Sequence, residues 1–304
     1  IMIMAIAAVS LTLLVKWNAF QQTHKPVVAQ VTLATPTNDS PVSPEVMSSS
    51  SADAPQVHAA ENSNPVTEKS TAHMIDVYTD TLQLRIDTAG GDIVFAALRD
   101  YPAVIGKPDE PFVMLNRTTE HTYIAQSGLV GENGIDKGAE RPLFSAEKNR
   151  YDMDANSDQL TVDLTIQDEQ GVKIIKRYVL NRGEHMVRVE YVIQNTTAQI
   201  WRGFFYGQIK RDTKEPVTQT SGMGLKPFLG SATTTSEKNY YKMTFKDMAE
   251  KPLKDSIKGG WIAMVQHYFI SAWIPDSNSV NQFYTTHQTA GDTYLMGFTA
   301  PQTV

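Results

Sequence analysis

The fold is decided by residues 160–193, which read LTVDLTIQDEQGVKIIKRYVLNRGEHMVRVEYVI. From Leu160 to Ile166, apolar residues alternate strictly with polar ones, a period that is typical of a strand with one face in a core and one in solvent. Turn-forming residues follow at 168–171 and at 181–184, and each turn leads into another apolar-rich run. The segment therefore predicts a meander of three antiparallel strands.

Two further segments carry strand patterns. Residues 82–87 alternate between apolar and polar, and a Gly90-Gly91 turn separates them from the apolar run 93–95, which predicts a hairpin. Residues 261–275 fit either a helical face or two buried strands. We favour strands, with Pro275 ending the second, because the surrounding pattern is that of a β protein. Together these patterns predict a mainly β fold, a β-sandwich or a larger multi-sheet body.

The N-terminus predicts a membrane anchor and a tether. Residues 1–15 are an almost unbroken apolar run, and Lys16 and Trp17 suit the headgroup level of a bilayer. No convincing small-x-small cleavage site follows, so we expect an uncleaved transmembrane signal anchor over residues 1–20, with a cleaved signal peptide as the main rival. Residues 21–71 contain no phenylalanine, tyrosine or tryptophan and are rich in polar residues and proline, which predicts a disordered polar tether.

Composition narrows the function classes. The chain has 304 residues, a formal net charge of −6 and no cysteine. Because the net charge is negative, the chain lacks the positive potential that attracts a nucleic-acid backbone, and we expect no nucleic-acid partner. The absence of cysteine excludes a disulfide, a thiolate metal site and a cysteine nucleophile. Residues 72–304, which follow the predicted tether, have the length of one large β domain.

Motifs for catalysis or metal binding were not found. The seven histidines stand singly without the spacing of a metal site, and no serine lies in a Gly-x-Ser-x-Gly setting. Gly222-Met223-Gly224 lacks the third glycine of a dinucleotide-binding fingerprint and is interpreted as a loop. We therefore predict no enzyme activity, no catalytic, cofactor-binding or metal-binding residue, and no cofactor.

One segment, Leu225 to Met248, stands out as a candidate contact surface because aromatic residues are interspersed with lysines. The alternative is an irregular sheet edge whose aromatic side chains only cover the core. The candidate partner-binding residues are Phe228, Tyr240, Tyr241 and Phe245.

The body of the chain resembles the large periplasmic domain of the YidC family of bacterial membrane protein insertases. The resemblance lies in the identity, order and spacing of several short segments. They are Gly90-Gly91-Asp92-Ile93, residues 123–129, Arg141-Pro142-Leu143-Phe144 with Glu147-Lys148, residues 258–264, Tyr268-Phe269, Ala272-Trp273-Ile274-Pro275 and Phe283-Tyr284-Thr285.

The resemblance implies a β-supersandwich fold, similar to galactose-mutarotase-like proteins, in the periplasm behind an anchor in the inner membrane. It implies a role in the insertion and folding of inner-membrane proteins. The expected partners are nascent membrane proteins, SecD–SecF, the SecYEG translocon and, through residues 1–20, the lipid bilayer. The resemblance covers the periplasmic domain and not the later membrane helices of the family, so it assigns no insertase role to any residue here. The domain is also expected to be truncated at its C-terminal end, with an unpaired edge.

A competing hypothesis is a sugar-binding protein or an aldose-epimerase-like enzyme on the same β fold. Such an enzyme needs a histidine and a carboxylate that converge in an open cleft. The nominal candidates are His121 or His185 with Glu190. Because Glu190 shares the outward-facing alternation of its strand with Arg188, the sequence favours solvent exposure over catalysis.

Overall fold

The structure, a computed structural model, describes residues 73–304 except 105, 139, 215–226 and 267. The predicted anchor, residues 1–20, and the predicted tether, residues 21–71, lie outside the described residues, as does the Gly222-Met223-Gly224 loop. Among the helices of the described part, none has the length and apolar character needed to cross a bilayer.

Eighteen strands and one short helix form in the described residues, which confirms the predicted mainly β fold class. In chain order the elements are β1 (Met74–Tyr78), β2 (Leu82–Asp87), β3 (Asp92–Pro102), β4 (Pro111–Arg117), β5 (Thr122–Val130), β6 (Ser145–Ala146), β7 (Arg150–Asp152), β8 (Gln159–Gln167), β9 (Lys173–Asn181), β10 (Val187–Gln194), β11 (Gly203–Asp212), β12 (Leu229–Thr233), β13 (Tyr241–Met243), α1 (Phe245–Glu250), β14 (Lys254–Lys258), β15 (Ile262–Gln266), β16 (Phe269–Trp273), β17 (Val280–Gln288) and β18 (Thr293–Thr303).

The strands form three sheets. A ten-stranded sheet has the order β14-β17-β18-β11-β5-β4-β3-β2-β1-β7, and two four-stranded sheets have the orders β10-β9-β8-β6 and β13-β12-β15-β16. The predicted meander is confirmed as β8, β9 and β10, paired antiparallel in sequence order. Residues 261–275 form the two strands β15 and β16, as favoured from the sequence, and β16 ends before Pro275. The last strand, β18, is paired on both sides, with β11 and β17.

The predicted hairpin forms between β2 and β3, and its turn depends on the two glycines. Gly90 and Gly91 have φ of 79° and 60°, a region that side chains with a Cβ rarely adopt. A Cβ at Gly90 would also lie 2.3 Å from Nε of Arg141. One polar position of the β2 alternation departs from the simple pattern: Asp87 is buried, and it pairs with Arg117 of β4.

One large core joins the three sheets. It contains Leu84 from the ten-stranded sheet, Leu164 from the β8–β10 sheet and Met264 from the β12–β16 sheet, all nearly or fully buried. Phe205 of β11 contacts both smaller sheets, because its ring lies 5.6 Å from that of Tyr191 and 6.4 Å from that of Trp273. Burial of this apolar surface is the dominant stabilising contribution to such a fold.

Candidate partner-binding surface

The predicted contact segment contains β12, β13 and the first four residues of α1. Its first two residues, Leu225 and Lys226, lie outside the described residues. Among the described strands, β13 lies at an edge and pairs with β12 alone, with Lys242 opposite Ala232. Thr244 then begins α1: its hydroxyl accepts a hydrogen bond from the Asp247 backbone N–H, and the Asp247 carboxylate accepts one from the Thr244 N–H. This capping box satisfies two backbone N–H groups at the start of α1 and so stabilises the beginning of the helix.

A lysine lies between two aromatic rings on this edge. The Lys242 ammonium is 4.8 Å from the ring centre of Phe228 and 5.6 Å from that of Tyr240, distances that permit cation–π attraction to both. The Tyr240 ring lies 5.9 Å from Trp261. We call Phe228, Tyr240, Lys242 and Trp261 the aromatic–lysine patch. Gly230 leaves room for it, since a Cβ there would lie 2.8 Å from the Phe228 ring.

The four predicted residues do not form one surface. Phe228 and Tyr240 are brought together in the patch. Tyr241 begins β13 and points to the face opposite that of Lys242, and Lys238 lies 5.3 Å from its ring. Phe245 packs against the core, and its ring is 4.8 Å from that of Tyr294. Trp261 and the position of Lys242 between two rings were missed, although the two-residue spacing of Tyr240 and Lys242 on a strand was a usable signal.

A buried charged network, not predicted from the sequence, joins two sheets. Arg141 donates hydrogen bonds to Asp92 (2.7 Å) and to Asp136. Lys176 of β9 is fully buried and donates to the carbonyl oxygens of Gly90 (2.8 Å) and Ser127 (3.0 Å). Arg141 donates to the same two carbonyls, at 3.4 and 2.9 Å. The two cations thus connect β9 to the β2–β3 turn and to β5.

Burial dominates the electrostatics of this network. It lowers the pKa of Lys176 to about 7, because the charged ammonium loses its hydration; Asp92 and Asp136 oppose that shift and Arg141 adds to it. Burial also raises the pKa of the Asp136 carboxyl above its usual range, against the attraction of Arg141. Lys176, Asp92 and Asp136 are buried, and their hydrogen bonds join two sheets, so we interpret the network as structural. A sequence signal existed, because Lys176 occupies an inward position between Ile174 and Tyr178 of β9.

The histidine and carboxylate candidates of the enzyme hypothesis do not converge. Nδ1 of His121 lies 2.9 Å from Asp212, whose carboxylate also accepts a bond from the Thr122 N–H. His185 is exposed and lies beside the ring of Tyr101. Glu190 is 3.8 Å from Arg188. Within the described part of the chain, neither histidine forms a hydrogen bond or ion pair with Glu190, so the geometry gives the acid–base pair no support.

Comparison with known proteins places this architecture in a family. The sequence profile described as the YidC periplasmic domain matches residues 74–304. The chain is 40% identical to the membrane protein insertase YidC of Cellvibrio japonicus, over 100% of this chain and 54% of that protein. It is 40% identical to YidC of Alcanivorax borkumensis over 82% of this chain and 43% of that protein, and 38% identical to YidC of Stutzerimonas stutzeri over 99% and 54%. The chain spans about half the length of these curated relatives.

Proposed function

The chain belongs to the YidC family of membrane protein insertases, whose periplasmic domain spans its residues 74–304, and from that premise we propose that it is the periplasmic part of a factor that helps inner-membrane proteins insert and fold. In this proposal residues 1–20 anchor the chain in the inner membrane and residues 21–71 tether the domain in the periplasm. The domain binds partners and performs no covalent chemistry. SecD–SecF, the SecYEG translocon and nascent membrane proteins are the proposed partners.

The observation that supports partner binding is the aromatic–lysine patch. Tyr240 is exposed although it is a large aromatic residue, and Lys242 lies on an edge strand beside it. Aromatic residues at the centre of an interface contribute most of the binding energy in many complexes. A partner that covers Phe228 and Tyr240 with apolar groups would also place its own carboxylate near Lys242. The patch therefore suits a protein surface with an acidic group beside an apolar one.

The test uses the full-length insertase with Phe228→Ala and Tyr240→Ala combined, purified from membranes in mild detergent. We expect recovery of SecD–SecF to fall about tenfold, since loss of 1.4 kcal/mol of binding energy corresponds to that factor and hot-spot residues contribute at least as much. Ile200→Ala, which truncates another exposed apolar side chain, is the matched control. Equal recovery from the double variant and the control would remove the patch from the interface.

Phe245→Ala separates binding from stability. Because Phe245 packs against the core and Tyr294, its truncation should lower the unfolding temperature of the domain. The patch variants should leave that temperature unchanged. A loss of binding that always accompanies a loss of stability would mean that the segment only covers the core.

A further inference from the structure

Strand β16 is the edge opposite β13 in the β13-β12-β15-β16 sheet, and its outer face is apolar. Side chains of Ile270, Ala272 and Ile274 point outward in register, and Ile270 and Ile274 are 61% and 71% exposed. Tyr268, in the turn directly before β16, is 82% exposed. Solvent-facing strand positions are ordinarily polar, so a row of this kind indicates a contact surface.

The register of β16 points some of its backbone hydrogen-bonding groups away from β15, toward the same edge. The pair Gln266↔Phe269 closes the β15–β16 hairpin, and hydrogen-bonded pairs alternate with non-hydrogen-bonded ones from there. Ile270 and Ala272 fall in the non-hydrogen-bonded pairs, so their N–H and C=O groups point away from β15. In the described part of the chain, no strand other than β15 pairs with β16.

The other sheet edges in the described residues are protected in the usual way, by charge or by shortness. Four edge strands carry charged side chains: β14, β7, β10 and β13. The fifth, β6, has only two residues. β16 has five residues and no charge. Its inner face is held in place, because Phe269 stacks on Phe112 at 4.2 Å and Trp273 packs over Gly207. The edge is therefore a rigid, uncharged template.

We propose that β16 binds an extended polypeptide segment with alternating apolar side chains, which adds to the sheet as a fifth strand. Backbone pairing supplies hydrogen bonds for any sequence, and the apolar row selects segments that carry an apolar side chain at every second position. The inference goes beyond the proposed contact with Sec partners, which lies on the β13 edge.

A second copy of the chain is a poorer occupant on grounds of area. Four outward side chains offer at most about 500 Å² of contact, less than the roughly 800 Å² that each partner buries in a stable complex. Surface of that size fits transient capture of an unfolded segment. The absence of charge on β16 also fits an uncharged segment better than a lipid headgroup region, which attracts lysine and arginine.

The test measures binding of a labelled peptide to the full-length protein by fluorescence anisotropy. The peptide alternates valine and threonine over nine residues, with a Lys-Lys tail for solubility, and a control peptide has proline in place of the central valine. Ala272→Pro removes one outward N–H while leaving the bonds to β15, since Ala272 is in a non-hydrogen-bonded pair. Ile270→Lys places a charge in the apolar row, and Val280→Lys is a control at a similarly exposed position of β17.

We expect Ala272→Pro and Ile270→Lys each to weaken binding at least tenfold, Val280→Lys to leave it unchanged, and the proline peptide not to bind. Three results would overturn the proposal: no binding to the unmodified protein, binding that neither variant weakens, or binding that Ile270→Lys weakens and Ala272→Pro does not. The last result, together with Ile270-dependent binding to vesicles, would identify a lipid surface. A dimer in sedimentation that Ile270→Lys abolishes would identify a second copy. Because the variants leave the β13 edge intact, SecD–SecF recovery should not change, which keeps this test separate from the previous one.

Discussion

Arg141→Ala should be among the most destabilising single substitutions in the domain. Arg141 donates to both Asp92 and Asp136, whose side chains are only 3% and 2% exposed. Removing the guanidinium leaves two carboxylates in the interior without their arginine, with Lys176 as a nearby cation. Breaking a buried ion pair from one side costs about 3–5 kcal/mol. We expect the free energy of unfolding to fall by about that amount at pH 7.

Arg177→Ala is the matched control. Arg177 also binds a carboxylate with two nitrogens, at 2.8 and 2.7 Å from Asp163, but the two side chains are 35% and 38% exposed. Because exposed pairs contribute about 0–1 kcal/mol, this substitution should change stability little. Arg141 bonds two buried carboxylates and Arg177 bonds one partly exposed carboxylate, so the difference between the two variants measures the cost of leaving buried carboxylates without their arginine.

Urea unfolding followed by tryptophan fluorescence gives both values. The loss of unfolding free energy caused by Arg141→Ala should become smaller as the pH falls toward 5, because the carboxyls of Asp92 and Asp136 can then take up protons and lose their charge. If Arg141→Ala costs no more than Arg177→Ala, or if its deficit is independent of pH, the network does not stabilise the fold as argued.

Two further predictions concern the same framework. Burial lowers the pKa of Lys176 from 10.5 to about 7, so between these values the unfolded chain binds more protons than the folded one and stability rises with pH. From pH 7 to 9 the free energy of unfolding should rise by about 2 kcal/mol. Lys176→Met should make the free energy of unfolding, measured by urea titration, depend less steeply on pH. If the pH dependence is unchanged in this variant, it arises from other groups. Thr244→Ala removes the N-cap of α1 and should lower the free energy of unfolding by about 1 kcal/mol, measured by thermal unfolding. Unchanged stability would mean that packing of the buried Met248, and not the cap, stabilises the helix.

The strands could be predicted from the sequence where a local period decides the structure. The alternation of residues 160–166 is complete within seven positions, and β8 forms there. Residues 261–275 fitted two periods, and only the β character of the surrounding chain favoured strands. The resemblance to the YidC family supplied what local patterns could not, the family to which the chain belongs.

The buried charges could not be predicted in this way because their partners are distant in the chain. Asp87 is buried through Arg117, which is 30 residues away, and Lys176 reaches a carbonyl oxygen 86 residues away. A polar residue at an inward strand position predicts only that a partner exists. Trp261 joined the aromatic–lysine patch for the same reason, since it approaches Tyr240 only through the pairing of β12 with both β13 and β15.

The two edges of the β13-β12-β15-β16 sheet differ in chemistry, and that difference argues for two separate contacts. The β13 edge presents Lys242 between aromatic rings, which favours a folded partner with a defined acidic group. The β16 edge presents uncharged backbone and an apolar row, which favours an unfolded segment of varied sequence. The register places Lys242, Ala232, Ala263 and Ala272 in one row across the sheet, so the two contact surfaces lie on the same face, at its two edges, with β12 and β15 between them.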